Sequence, residues 1–295
     1  MMHKVNDIAR NRQIMPYVML APFLIMFIVF FLGPMIAVVG LSFFHWNGIS
    51  EPVFCGFSNY AKLLRDPRFL TALKNTAWFT IVYNAIMMAL SISLALALAS
   101  GKVFGCKFLR AAYFAPVTMS LAVVALVFDI ILARGGLLNL LLSQLGLKSS
   151  IAWLWEPRYA MWAMVFMRLW RASGYYATML ISGLQNIPEE VIEAAEVDGA
   201  TSRQITTHVI LPLLKPMILF VLVASTIWSL QLFDEPWILN RGGPSDSTLS
   251  LVQLLYQNGF EFFKLGYSAA ITVILIAVIM VVAVVQMRVF RDEIV

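Results

Sequence analysis

Charge is what this 295-residue sequence has least of. Asp, Glu, Lys and Arg make up 13% of it and hydrophobic residues 61%, whereas about a quarter of a soluble globular domain is charged. That balance excludes a soluble domain and leaves a polytopic membrane protein. Cysteine is nearly absent: Cys55 and Cys106 stand alone in different loops, so neither a disulfide nor a metal site is expected. The three histidines, His3, His45 and His208, lie far from one another and from both cysteines. A membrane-embedded enzyme would need a nucleophile–base pair or a metal cluster, and these residues supply neither. No basic run exceeds a pair, so the net charge of +5 does not point to nucleic acid. Internal repeats and low-complexity tracts are also missing. So is a G-x-x-x-x-G-K-[ST] phosphate loop, since Gly101-Lys102 has neither the earlier glycine nor the following Ser or Thr.

What the sequence does have is long apolar runs, and six of them read as transmembrane helices. The first, from Ile14 to about Leu41, follows Lys4, Arg10 and Arg12. It is roughly twice the length of a signal-peptide core and lacks a clean small-x-small site, which favours a retained helix kinked at Pro16, Pro22 or Pro34. Thr76–Ser100 is the second span, its small residues suited to close helix packing. Ala111–Ala133 is the third, interrupted only by Asp129. Tyr159–Leu184 is the fourth, with Arg168 and Arg171 inside it, followed by Met217–Asp234 and Gly266–Met287. Between the first two spans, His45–Lys74 reads as an outer loop with a short amphipathic helix around Asn59–Leu64. Arg134–Arg158, with Gly135-Gly136, Trp153 and Trp155, and Glu235–Lys264, with Gly242-Gly243-Pro244, read as further outer loops. Residues 1–74 are expected to form a tail, first helix and outer loop, and residues 75–290 the core of an all-α membrane domain. Lysine and arginine totals on the two sides nearly balance. The basic cluster before the first span, the basic stretch 101–110 and the tryptophans at the other ends still favour cytoplasmic termini.

The longest polar interruption in the C-terminal half is Ile187–Pro216, where Glu189, Glu190, Glu193, Glu196 and Asp198 gather. Pro188 suits a first helical turn, and the glutamates after it suit the positive end of the helix dipole. Val191, Ala194 and Ala195 make a small apolar stripe, with Glu189, Glu193 and Glu196 on the other face. Gly199 permits a turn into a second short helical run, with Pro212 and Pro216 marking the return to apolar sequence. A helix of eleven residues spans only about 16 Å and cannot cross a bilayer. Two short amphipathic helices at right angles on a membrane surface suit docking.

Glu193-Ala194-Ala195, then Asp198-Gly199-Ala200 and Ile210-Leu211-Pro212, resemble the cytoplasmic signature loop of binding-protein-dependent ABC importer permeases. Gly56–Leu64, Phe69–Phe79, Leu184–Pro188 and Gly242-Gly243-Pro244 are similar to the carbohydrate-type branch, in its six-helix lactose- or glycerol-phosphate-like form. The resemblance implies a heterodimer with a second six-helix permease, in the bacterial cytoplasmic membrane. It also implies a cytoplasmic ATPase dimer and an extracytoplasmic binding protein delivering a polar solute, of carbohydrate type. ATP and Mg would then be bound by the ATPase and no cofactor by this chain, in keeping with the missing phosphate loop. Glu193, Ala194, Ala195, Asp198 and Gly199 become the expected ATPase-coupling residues.

For the pathway itself, Arg168 and Arg171 are the leading candidates, because charges inside a membrane face the bundle interior or water. The alternative is structural pairing with Asp129, Asp234 or Glu235. Asp129 and Asp234 are themselves pathway candidates, the latter at the outer end of the fifth span. The tryptophans suit an aromatic belt or sugar-stacking faces. An ion-coupled secondary transporter is the competing function, and it would call for inverted repeats and a mid-membrane carboxylate relay that the sequence does not display.

Overall fold

A computed structural model of the chain describes residues 15–99, 105–147 and 150–291. The basic residues Lys4, Arg10, Arg12, Lys102 and Lys148 lie outside the described residues. The described chain is almost entirely helical, with a two-residue hairpin pairing Phe44 with Phe54 and His45 with Val53. Among the described residues, five stretches are long and apolar enough to cross a membrane: Met15–Leu41, Pro67–Ala99, Leu121–Gln144, Ser202–Leu239 and Leu265–Phe290. The helix expected as a fourth span, Pro157–Leu184, has 28 residues and is also long enough. It carries Arg158, Arg168 and Arg171 and is less apolar than those five.

In chain order, α1 (Met15–Phe27) and α2 (Gly33–Leu41) are joined through a π turn, with α3 at Ser58–Arg65 and α4 at Pro67–Ala99. Then come α5 (Cys106–Thr118), α6 (Leu121–Leu132), α7 (Leu137–Gln144), α8 (Pro157–Leu184) and α9 (Glu189–Val197). The last are α10 (Ser202–Gln204), α11 (Leu211–Leu230), α12 (Asp234–Leu239), α13 (Leu251–Tyr256) and α14 (Leu265–Arg291).

Three expected boundaries change. The second span starts nine residues early, because Asp66 accepts a hydrogen bond from the Arg68 N–H at 2.9 Å and Pro67 opens the first turn. The third span is not one helix. Met119 and Ser120 are extended and separate α5 from α6, just after Pro116 and a Thr118 hydroxyl that bonds back to the Ala115 carbonyl at 2.8 Å. Hydropathy runs smoothly over such a break, since every residue there is apolar or small. The loop from Arg134 to Arg158 contains a further helix, α7, whose N-terminal Gly136 packs so closely on the Ile130 and Ile131 carbonyls that a Cβ would collide with them.

Contacts divide the chain into two compact units, Met1–Arg65 with Gln257–Ile274 and Asp66–Tyr256 with Leu275–Val295. In the first unit Asn59 is buried and donates to the carbonyls of Ser42 and Phe44 at 2.9 and 3.0 Å, tying α3 to the hairpin. The second unit holds the main core. There α8 packs against α4, α5 and α11. Along α4, Phe79, Tyr83, Met87, Ser91, Ala95 and Leu98 are all buried and recur nearly every fourth residue, so they form one stripe. On α8 the buried set is rich in small residues, and a Cβ at Gly174 would run into the Tyr113 carbonyl of α5. Close helix approach through small residues is how membrane helices associate without a hydrophobic drive between them. A buried polar seam runs through this packing. Asn84 donates to the Thr80 carbonyl and to the Ser229 hydroxyl, at 2.7 and 3.0 Å, and accepts from the Ser225 hydroxyl. The Ser91 hydroxyl donates to the Ser173 carbonyl at 3.1 Å.

Candidate functional site

Two places carry the chemistry that the sequence singled out: the acidic helix after α8, and the charged groups within and beside α8. The acidic helix α9 begins at Glu189, right after Pro188, with Glu189 and Glu190 in its first turn. Its end is closed by backbone alone. The Gly199 N–H donates to the Glu196 carbonyl and the Ala200 N–H to the Ala195 carbonyl, both at 3.0 Å. With Gly199 at φ +78° this is the Schellman closure that favours glycine. A Cβ at Gly199 would meet nothing within 4 Å, so the requirement is conformational and not steric.

The next helix is capped at once. The Thr201 hydroxyl accepts from the Gln204 N–H at 3.4 Å, and the Gln204 side chain accepts from the Thr201 N–H at 2.8 Å, a reciprocal capping box. Between the two caps the chain turns in three residues, Asp198 to Ala200, with the open polar groups of both helix ends largely satisfied. The second short helix of the sequence reading is not separate, however. Ser202–Gln204 continues through a π turn, Ile205–Ile210, straight into α11. Pro212 follows directly on that π turn, where the regular backbone ladder is already interrupted, and Pro216 lies inside α11. The turn at Gly199 is therefore coupled rigidly to a helix long enough to run on across a membrane.

The faces of α9 depart in part from a simple amphipathic reading. Ile192 is half-buried, and with Glu189 and Glu196 it lines a cavity of about 520 Å³ that also takes in Arg110, Leu184 and Ile205. Glu193, Ala194, Asp198 and Gly199 are exposed and Ala195 is half-buried. Val191 and Val197 are exposed as well, Val197 at 88%. The face left without cover among the described residues thus mixes the small apolar side chains of Val191, Ala194 and Val197 with the carboxylates of Glu190, Glu193 and Asp198.

Inside the second unit Arg168 and Glu235 form an ion pair, Nη1 to Oε1 at 3.0 Å, with side chains only 14% and 4% exposed. Arg168 Nη2 also donates to the Trp228 carbonyl at 2.9 Å, and its guanidinium lies over the rings of Phe79 and Tyr83 at 5.8 and 5.5 Å. The pairing that the sequence offered for Arg168 is present: its charge is met by Glu235. Arg171, one turn on, is half-buried, and its Nε has no hydrogen-bond partner among the described residues. Asp234 is exposed at the start of α12. Asp129 is exposed on α6, on the rim of an open-sided cavity of about 340 Å³ shared with Arg134 and Trp155. Arg168, Arg171 and Asp234 are close enough to act on one another electrostatically, while Asp129 lines the separate cavity on α6.

Several residues that organise these sites escaped sequence reading. Asn139 is buried and donates to the carbonyls of Ala133, Arg134 and Ile151 at 3.0, 3.0 and 2.9 Å. Asn240 donates to the Leu154 carbonyl at 2.9 Å. Arg68 grips Asp246 with two bonds of 2.8 and 3.1 Å, fixing the Gly242-Gly243-Pro244 loop to the first turn of α4. No sequence signal marks these asparagines. The T-x-x-Q of Thr201 and Gln204, by contrast, is a readable cap.

Comparison with known proteins bears on this geometry. Residues 87–293 match the family described as "Binding-protein-dependent transport system inner membrane component". The arabinooligosaccharides transport system permease protein AraP of Bacillus subtilis is 35% identical over 286 residues, covering 96% of this chain and 90% of the relative. The lactose transport system permease protein LacF of Rhizobium radiobacter is 31% identical over 292 residues, covering 98% of each. A chain of a bacterial alginate ABC transporter, solved in complex with an alginate-bound periplasmic protein, superposes with a TM-score of 0.85 at 23% identity. The match covers 98% of this chain and 97% of that one.

Proposed function

The chain belongs to the binding-protein-dependent transport system inner membrane components, and on that premise we propose that it forms half of a saccharide pathway and is driven through α9. As a member of that family it is a multi-pass inner-membrane transport component, a permease subunit of an importer and not an enzyme. The names of relatives that align along nearly the whole chain, transport system permeases for arabinooligosaccharides and for lactose, support a saccharide as the cargo. A second six-helix permease completes the pathway, an ATPase dimer works on the cytoplasmic side with ATP and Mg, and a binding protein delivers the sugar from outside. Pro157–Leu184 then counts as a sixth span, its arginines tolerated because Arg168 is paired within the bundle. Both termini and the 187–216 loop lie in the cytoplasm, and residues 75–290 form the core to which residues 1–74 are added.

One observation carries the coupling role. The turn Asp198–Ala200 is closed on both sides by caps, while the outer face of the helix before it, where Val191, Ala194 and Val197 stand among carboxylates, has no cover among the described residues. Such a helix suits a cleft in a second protein. Closure of the ATPases would press on α9, and the capped turn would pass the displacement to α10 and α11 without unwinding either helix. Ala194 and Ala195 allow close approach, Glu193 and Asp198 offer carboxylates to cations on the ATPase, and Gly199 fixes the angle. The bundle is the two-state element that ATP and the loaded binding protein bias.

The test is a complex reconstituted from all its chains. Replacing Gly199 with valine is expected to leave the protein in the membrane and assembled, yet to abolish the stimulation of ATP hydrolysis by loaded binding protein. Normal uptake by that variant would sink the reading.

A further inference from the structure

The cavity between α6 and the segment before α8 has features that the coupling role does not use. Its walls are braced from behind. Buried Asn139 donates to Ala133, Arg134 and Ile151 on both sides of the cavity, and its own side-chain carbonyl accepts from the Trp153 Nε1–H at 3.2 Å. Asn240 holds the Leu154 carbonyl at 2.9 Å and is itself held by the Thr248 hydroxyl at 2.9 Å. A buried side-chain network satisfied on every member fixes a shape. The volume of this open-sided cavity, about 340 Å³, lies at the lower end of the range of about 300–1,000 Å³ for small-molecule sites.

What faces this space is chemically specific. The Asp129 carboxylate and the Arg134 guanidinium both line it, and neither makes a side-chain hydrogen bond or ion pair among the described residues. Trp155 lines it too, 61% exposed, with no aromatic partner among the described residues. The other tryptophans nearby are committed: Trp78 and Trp162 pack edge-on at 5.1 Å, and Trp153 is bonded to Asn139 and packed on Tyr159. One acceptor-only group, one donor-only group and one flat apolar face match a sugar ring. Its hydroxyls both donate and accept, and one of its faces is lined by C–H groups. The two charges cancel, so the site favours a neutral saccharide over an anionic one.

We propose that Asp129, Arg134 and Trp155 form a saccharide-binding subsite on this chain, separate from the Arg168–Glu235 region. The subsite rests on the reading that the cargo is a saccharide. Asp129 accepts from ring hydroxyls, Arg134 donates to them, and the Trp155 indole covers the apolar face. Asn139 and Asn240 are positioning residues that hold the walls.

The experiment uses the assembled complex in lipid nanodiscs without binding protein, and calorimetric titration with lactose and with an arabinooligosaccharide as probes. The wild-type complex is expected to bind at least one of them. Trp155→Ala should weaken that binding by about tenfold or more, Asp129→Asn by several-fold, and Trp155→Phe should restore most of it. Co-purification of the ATPase with each variant reports assembly, and the phenylalanine variant keeps the test decisive if the alanine variant fails to assemble. Unchanged affinity in Trp155→Ala, or in Trp155→Phe no better than in alanine, would overturn the subsite. So would failure of the wild-type complex to bind either probe. ATP-driven uptake measured on the same preparations separates the two ideas: uptake that persists without binding at this site leaves the importer reading standing, and a complex that does not transport at all removes that reading too.

Discussion

Helix α9 and the Arg168–Glu235 pair are both charged features in an oily chain, and they are held in opposite ways. The glutamates of α9 are exposed, and the helix is secured by backbone closure at Gly199 and by the Thr201–Gln204 cap. Arg168 and Glu235 are buried and depend on each other. The exposed helix can lose any one carboxylate at small cost to the fold, because isolated surface charges contribute little. The buried pair cannot lose either member without stranding the other in a medium that solvates it poorly. The difference separates a surface kept for a partner from a contact kept for the bundle.

The largest effect that would break this comparison lies at the pair. Glu235→Ala is expected to destabilise the folded chain by about 3–5 kcal/mol, the usual loss when one partner of a buried pair is removed. Thermal unfolding of the purified complex measures it. Replacing both members, Arg168→Met with Glu235→Leu, should recover most of the loss. A silent Glu235→Ala would mean that water or another group serves Arg168.

Next in size is Gly199→Val. A branched residue at positive φ carries strain of about 1–3 kcal/mol, whereas Gly199→Asn should be tolerated, since asparagine visits that conformation. With open space around the position, a clash would not explain any difference between the two. Stimulated ATP hydrolysis should fall in the valine variant and survive in the asparagine one. Thr201→Ala removes one half of the capping box and should cost about 1 kcal/mol, read as faster amide exchange at Ser202–Gln204. Smallest for the fold is Val197→Ser, within about 0.5 kcal/mol because the side chain touches little. It should nonetheless weaken co-purification of the ATPase if that face is a docking surface.

The same contrast explains what was legible in the sequence. The acidic helix showed itself through local grammar: Pro188 at the start, glutamates in the first turn and Gly199 at the close. Local rules set those features, so a linear reading finds them. The direction of the faces was not legible, because which side of α9 meets the chain depends on where α4, α5 and α11 lie. That is why Glu189 and Glu196 line a cavity while Val197 faces outward. The arginines of α8 were found as anomalies, but their fate was not. Arg168 meets Glu235, which is 67 residues away in the chain, and only the packing of α8 beside α11 and α12 brings them together. The break at Met119-Ser120 was hidden for a third reason: hydropathy measures side chains, and the break is in the backbone. Asn139 and Asn240 gave no signal because buried asparagine clamps follow no spacing rule.

The most direct test of the coupling role is a cross-link. With Cys55 and Cys106 replaced by serine and Val197 by cysteine, a short thiol-to-amine cross-linker applied to membranes holding the assembled transporter should join this chain to its ATPase. The yield should change between nucleotide-free and ATP-trapped complexes. Labelling of that cysteine by an impermeant reagent from outside intact cells would contradict the account, as would no ATPase adduct in a complex that still hydrolyses ATP.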